Sequence, residues 1–203
     1  MMNLALIGAT GNVGAPILDE LLQRGHTVTA IVRRPEKVLS APGVVARQGD
    51  VLDQEGLAPL LAGHDAVISA VPFAVSDPVR LIDAVRASGV RRYLVVGGAG
   101  SLEVAPGVQL LDSPDFPAQY KEEATAGAAF LDRLRGEAEI DWTFLSPSAM
   151  FVPGERTGHF RLGRDALLTH AQGSSISYQD YAIALVDEVE RPAHSRQRFT
   201  VGY

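Results

Sequence analysis

The sequence predicts a single α/β domain organised on a doubly wound, mostly parallel sheet. Two observations carry that expectation. An apolar strand at residues 4–7 runs directly into a turn with glycine at positions 8, 11 and 14, and then into a helix. Five strand-type runs then alternate with helical ones within about the first hundred residues, the sequence form of right-handed β-α-β crossovers. With 203 residues and no repeat or low-complexity linker, the whole of 1–203 is expected to be one domain, with a small C-terminal extension on the substrate side.

The first element sets the chemistry. Gly8 permits a tight turn off the strand, Gly11 lets backbone approach a bulky anion closely, and Gly14 lets the new helix lie against the sheet. The helix continues over 15–22 with Pro16 in its tolerant first turn, and Gly25 marks its end. A spaced glycine triplet in that strand-turn-helix context reads as a dinucleotide cradle, its pyrophosphate resting on free amides at the positive end of the helix.

Residues 27–32 (TVTAIV) are rich in β-branched side chains and are expected to form the second strand, which closes on Arg33-Arg34-Pro35. In such a sheet the residue about 20 positions beyond the glycines meets the adenosine ribose. An acid there suits a free 2′-hydroxyl and an arginine suits a 2′-phosphate. Arg33 holds that place without a carboxylate, which favours NADP(H) over NAD(H); the plainer alternative is a solvated pair beside Glu36 and Lys37.

A short third strand (44–47) ends at Gln48-Gly49-Asp50-Val51, ahead of a helix over 53–61. Asp50 has two open readings, as acceptor for an adenine amino group or as a turn or cap residue. The fourth strand, 65–71, ends in Ala70-Val71-Pro72, small residues that leave room in the crevice where strand order reverses. A helix over 77–88 with apolar positions at Val79, Ile82 and Val85 stops at Gly89. The fifth strand, 92–97, ends in Gly97-Gly98-Ala99-Gly100, which again allows close approach. Together these elements make a Rossmann-type sheet.

Beyond residue 100 the pattern loosens. Residues 101–118 read as a loop over the crevice mouth, 120–136 as a helix and 141–147 as a sixth strand. The segment 149–174 is long and irregular, which points to a lid or binding loop. A short strand (175–178), a helix (179–190) and a last strand (198–203) follow.

Composition excludes several classes. The chain is 46% hydrophobic and 21% charged, with no apolar run near the ~20 residues that cross a bilayer. No membrane role is expected, and the start shows no export signal, so the expected location is the cytoplasm. With no cysteine there is no disulfide framework, thiolate catalysis or cysteine-held metal, and the five histidines show no metal-ligand spacing. A net charge of −6 argues against nucleic acid, and the short basic stretches at Arg91-Arg92 and Arg196-Gln197-Arg198 read as solvated faces. No Gly-x-Ser-x-Gly elbow occurs, which removes a serine hydrolase of that type. The ~60 residues after Pro147 are few for the C-terminal domain of a nucleotide-sugar epimerase.

The opening GATGNVG (8–14), the Val32-Arg33-Arg34-Pro35 corner, Gly49-Asp50-Val51 and Asp141-Trp142-Thr143-Phe144-Leu145-Ser146-Pro147 together resemble the atypical short-chain dehydrogenases, in their NmrA-like and biliverdin-reductase-B-like branch. The resemblance spans nearly the whole chain. It implies that Gly8, Thr10, Gly11, Asn12 and Val13 hold the pyrophosphate and Arg33 with Arg34 the 2′-phosphate. It places Asp50 and Val51 beside the adenine, and Ala70, Val71 and Gly97 beside the nicotinamide ribose. Pro147 and its two serine neighbours fall on the carboxamide face, and Lys121 has two readings, as donor to a ribose hydroxyl or as a surface lysine.

The chain departs from the wider dehydrogenase pattern, in which a lysine four residues after a tyrosine lowers its pKa for proton exchange. Tyr93, Tyr120 and Tyr178 are followed at that spacing by Gly97, Ala124 and Ala182, and Tyr120 and Lys121 point about 100° apart on a helix. No catalytic residue is therefore assigned. Two functions follow. One is a reductase passing hydride from NADPH to a small flat acceptor such as a flavin or quinone. The other is a non-catalytic NADP(H)-sensing protein whose 149–174 loop presents a surface to a protein partner. Ser148, His159, Arg161 and Tyr178 are the candidate substrate contacts; His159 is either a general acid or clamp, or a backbone-bonded loop histidine.

Overall fold

The computed structural model describes residues 1–203. The first half contains β1 (Asn3–Ile7), α1 (Gly14–Gln23), β2 (Thr27–Val32), β3 (Val44–Gln48), α2 (Gln54–Leu61), β4 (Ala66–Ser69), α3 (Pro78–Ala87) and β5 (Arg92–Val96). A small hairpin follows, β6 (Glu103–Ala105) and β7 (Val108–Gln109), and then α4 (Lys121–Arg135) and β8 (Asp141–Ser146). The chain closes with β9 (Met150–Val152), β10 (Arg161–Gly163), β11 (Ser175–Ser177), α5 (Tyr178–Glu190) and β12 (Gln197–Gly202).

Eight strands form one sheet in the order β10-β12-β8-β5-β4-β1-β2-β3, parallel throughout except for β10. Strand order therefore reverses between β1 and β4, and the crevice for a ligand lies at the carboxyl ends of those two strands. Helix starts are fixed by short acids. Asp53 accepts from the Gly56 amide (3.0 Å) ahead of α2, and Asp77 accepts from the amides of Val79 (2.8 Å) and Arg80 (3.3 Å) ahead of α3.

The sheet is covered on both faces. Leu4, Leu6, Val28 and Leu94 face α1 and α5, where Ile17, Leu21, Tyr181 and Leu185 pack. Ala5, Ile7, Val67 and Tyr93 face α2, α3 and α4 through Leu57, Leu81, Val85 and Phe130. The continuous apolar strands of the sequence follow from this two-sided burial. No helix is long and apolar enough to cross a membrane.

Two expectations need correction. The stretch 101–118 is not only loop, because it holds the β6–β7 hairpin. The segment 149–174 contains two strands, β9 paired with β11 and β10 on the edge of the main sheet. Each is three residues long, too short to show a period, and its partner lies far along the chain.

Candidate functional site

The glycine turn is built from backbone contacts that tolerate no side chain. Gly8 has φ +86° and donates its amide to Ile31 O (2.9 Å), and Gly11 donates to Gly8 O (3.0 Å). A Cβ on Gly8 would lie 2.3 Å from Ala70 O, and one on Gly14 would lie 2.0 Å from Gly8 O. One on Gly11 would stand 3.3 Å from Gly8 O, at the exposed mouth of the turn. The amides of Thr10, Asn12 and Val13 donate to no other group of the chain, and Thr10 and Asn12 are exposed. Three free amides at a helix N-terminus beside a glycine cradle fit the oxygens of a pyrophosphate.

The basic corner is open. Arg33 and Arg34 are exposed and make no ion pair, whereas Arg24, Arg86, Arg92, Arg156 and Arg198 are all held by carboxylates. No acid has been placed to occupy them, so both guanidinium groups are available to a phosphate. Asp50 accepts from the Leu52 amide (2.9 Å), which makes it a turn residue with one carboxylate oxygen still free. Val51 beside it is half-buried.

On the other side of the crevice, Ala70 and Val71 are half-buried and form a wall against the glycine turn. Gly97 is buried, and a Cβ there would sit 2.4 Å from the Phe144 ring and 2.6 Å from Leu145 O. Tyr181 pins the ends of β5 and β8 from α5. Its hydroxyl donates to Leu145 O (2.7 Å) and accepts from the Gly97 amide (3.3 Å). Ser69 and Tyr93 share a buried hydrogen bond of 2.8 Å. Burial pushes the phenol pKa of both Tyr93 and Tyr181 well above the ordinary value, so both stay neutral, and each hydroxyl is engaged in an internal hydrogen bond.

Pro147 and Ser148 are buried at the end of β8. The Ser148 hydroxyl turns inward to Val201 O (3.1 Å), into space that Gly202 leaves by having no side chain. Lys121 donates to Leu111 O and stands 3.8 Å from Asp112. His159 is exposed and takes no ion pair. Arg161 spends its guanidinium on the carbonyls of Thr169 (2.6 Å) and Tyr203, on the edge strand β10. Tyr178 packs edge-on against Phe151, with ring centroids 4.8 Å apart. These four candidates thus sit on separate elements, and two of them use their polar groups internally.

The expected lid is a strap tied at both flanks. Arg156 makes a bidentate pair with Glu20 of α1 (2.9 Å to each oxygen). Asp180 of α5, fully buried, accepts from the amides of Thr157 and Gly158 (2.8 Å each), the Thr157 hydroxyl (2.5 Å) and the Tyr203 hydroxyl (2.8 Å). Burial works to raise the Asp180 pKa, but the Thr157 hydroxyl and the other donors outweigh it and hold the carboxyl below its ordinary value. The sequence reading missed Glu20, Asp180, Tyr181 and also Glu123, whose carboxylate accepts from the amides of Phe73 and Ala74 (2.7 and 2.8 Å). Apart from Arg24, one turn beyond Glu20, the partners described lie at least 22 residues away, and no local pattern signals them.

A family model described as NAD(P)H-binding matches residues 8–192. An uncharacterized protein of Bacillus subtilis (strain 168), YwnB, is 43% identical over 213 aligned positions, which cover 98% of each chain. The crystal structure of a candidate epimerase from Bacteroides thetaiotaomicron superposes with a TM-score of 0.94 at 44% identity, over 99% of this chain and 96% of that one. A candidate NADH-flavin reductase from Streptococcus pneumoniae superposes with a TM-score of 0.87 at 38% identity, over 100% and 99% of the two chains.

Proposed function

We propose, from the fact that this chain belongs to the NAD(P)H-binding family, that it is an NADPH-dependent reductase acting on a small flat acceptor of flavin or quinone type. The observation that carries the reading is the glycine cradle with its three unengaged amides, set beside two arginines that no carboxylate holds. When bound, NADPH supplies a hydride from its nicotinamide ring.

The chain's own part is to bind and orient. The amides of Thr10, Asn12 and Val13 meet the pyrophosphate, with Gly8, Gly11 and Gly14 giving it access. Arg33 and Arg34 clamp the 2′-phosphate, where a guanidinium fork matches phosphate oxygens. Asp50 and Val51 border the adenine, and Lys121 the ribose. Ala70, Val71, Gly97 and Pro147 border the nicotinamide half, where the chain's part is to orient the ring toward its acceptor. With the Tyr93 and Tyr181 hydroxyls fully buried and bonded to Ser69 and Leu145 O, the acceptor takes its proton from water, which suits a flavin or quinone better than a simple ketone. The likeness to the Streptococcus pneumoniae protein supports the flavin class.

The test is oxidation of NADPH and NADH by the purified chain against a small panel of flavins and quinones, with calorimetric titration of both nucleotides. Turnover with a flavin or quinone and tighter binding of NADPH than NADH are expected. Tight NADPH binding without turnover on any acceptor would instead identify the NADP(H)-sensing protein with a protein partner, and equal affinity for the two nucleotides would remove the role of Arg33 and Arg34. No binding of either nucleotide would overturn the proposal.

A further inference from the structure

We infer that Glu123 is a positioning residue of the crevice: from α4 its carboxylate fixes the turn after β4, and through that turn the wall on which the nicotinamide half of the cofactor lies. The inference rests on the reading of the crevice as an NADPH site and adds to it a residue on a different element.

The wall begins where β4 ends. Ala70 O and Val71 Cγ1 would stand 2.3 and 3.1 Å from a Cβ on Gly8, so wall and glycine turn are in direct contact and a shift in one is felt by the other. Two residues on, a single 3-10 turn spans Phe73–Val75. Its leading amides, on Phe73 and Ala74, have no backbone acceptor; both go to Glu123, one to each carboxylate oxygen, at 2.7 and 2.8 Å and across about fifty residues of sequence.

The carboxylate is not needed to bury Phe73. That ring is already held by Phe144 (centroids 5.9 Å) and Phe130 (5.3 Å), with Gly127 of α4 close enough that a Cβ there would lie 2.9 Å from it. What the two charge-assisted bonds add is orientation of the peptide planes just past the wall. The same helix also touches the segment after β5, because a Cβ on Gly100 would lie 2.7 Å from the Ala124 Cβ. Helix α4 thus packs against the segments that follow both β4 and β5, and Glu123 is its polar fastening to the first.

Glu123→Gln keeps the length of the side chain and replaces one acceptor oxygen with an NH2 group that faces an N–H. It is tested by titrating the full chain with NADPH and with adenosine 2′,5′-bisphosphate, which lacks the nicotinamide half. Loss of one charge-assisted bond is expected to weaken NADPH by about tenfold and to leave the bisphosphate within about twofold, while Glu122→Gln, its exposed neighbour, behaves as wild type. Equal weakening of both ligands, or of neither, overturns the inference. If the variant does not fold, hydrogen exchange at the Phe73 and Ala74 amides of the wild-type chain decides. Exchange slowed more by NADPH than by the bisphosphate supports the inference, and equal slowing or none overturns it. A wild-type chain that binds neither nucleotide refutes the NADPH site itself, a result distinct from all of these.

Discussion

Replacing Gly8 with alanine perturbs the cradle in two ways that other glycines separate. Its φ of +86° is left-handed, which costs an L-residue about 1–2 kcal/mol. Its new Cβ would stand 2.3 Å from Ala70 O against the 3.4 Å where ordinary contact begins, so two backbones must part by about 1.1 Å. Overpacking of that kind costs about 1–3 kcal/mol. Together these give about 2–5 kcal/mol, which for a chain of this size lowers the melting temperature by about 4–20 °C. Displacing the amides by ~1 Å should also weaken NADPH by about ten- to a hundredfold. Gly25→Ala keeps the first effect alone, since φ there is +80° with nothing within 4 Å. It should cost about 1–2 kcal/mol and leave NADPH affinity unchanged. Gly14→Ala keeps the second alone, with its Cβ 2.0 Å from Gly8 O and no left-handed φ, and should weaken binding as Gly8→Ala does. Thermal melting and calorimetric titration of the three variants read this directly. If Gly8→Ala binds NADPH like the wild type, or Gly25→Ala weakens it as much, the cradle argument fails.

Arg33→Glu should narrow or reverse the preference for NADPH over NADH by about tenfold or more, from loss of a charge-assisted contact and gain of a repulsive one, as matched titrations would show. Tyr181→Phe removes the bond to Leu145 O but leaves that carbonyl the Gly97 amide at 2.9 Å. It should cost about 1 kcal/mol, a fall of roughly 2–4 °C in melting temperature. Asp180 has a pKa below its ordinary 3.8 in the folded chain, so its carboxylate contributes stability above about pH 4 that is lost as pH falls through the folded pKa. Melting curves between pH 5 and 2 should therefore fall less steeply with acid for Asp180→Asn than for the wild type, and parallel slopes would refute the role of Asp180 in tying down the strap.

The sheet was readable in the sequence because its strands are continuous apolar runs and its helices start on Asp53 and Asp77 and stop near Gly25 and Gly89, all local chemistry. The cradle was readable from its spacing, since Gly11 and Gly14 answer to the Gly8 carbonyl within seven residues, although Gly8 itself is also held against Ala70 far along the chain. What escaped depends on distant pairings. Glu20 and Asp180 look like ordinary helix-surface acids until the strap lands on them, and Tyr181 looks like one more apolar position of α5. Ser148 is a candidate substrate contact in the sequence, and its hydroxyl turns toward Val201 O beside Gly202, more than fifty residues on. Arg161 was legible as a charge but not as the tie between β10 and the chain's last carbonyl.

The seat of β12 bears on how the protein is made. It lies between β8 and β10, so that β10, synthesised about thirty-five residues earlier, has nothing to pair with until Gln197–Gly202 has left the ribosome. Up to that moment the nascent sheet ends at β8 with an unsatisfied ladder and the apolar residues Phe144 and Leu145 at its border, an edge open to sticking to neighbours. Maturation of the whole domain is thereby gated by its final six-residue strand, and a short deletion there would harm solubility before it touched the nucleotide cradle at the opposite end of the chain.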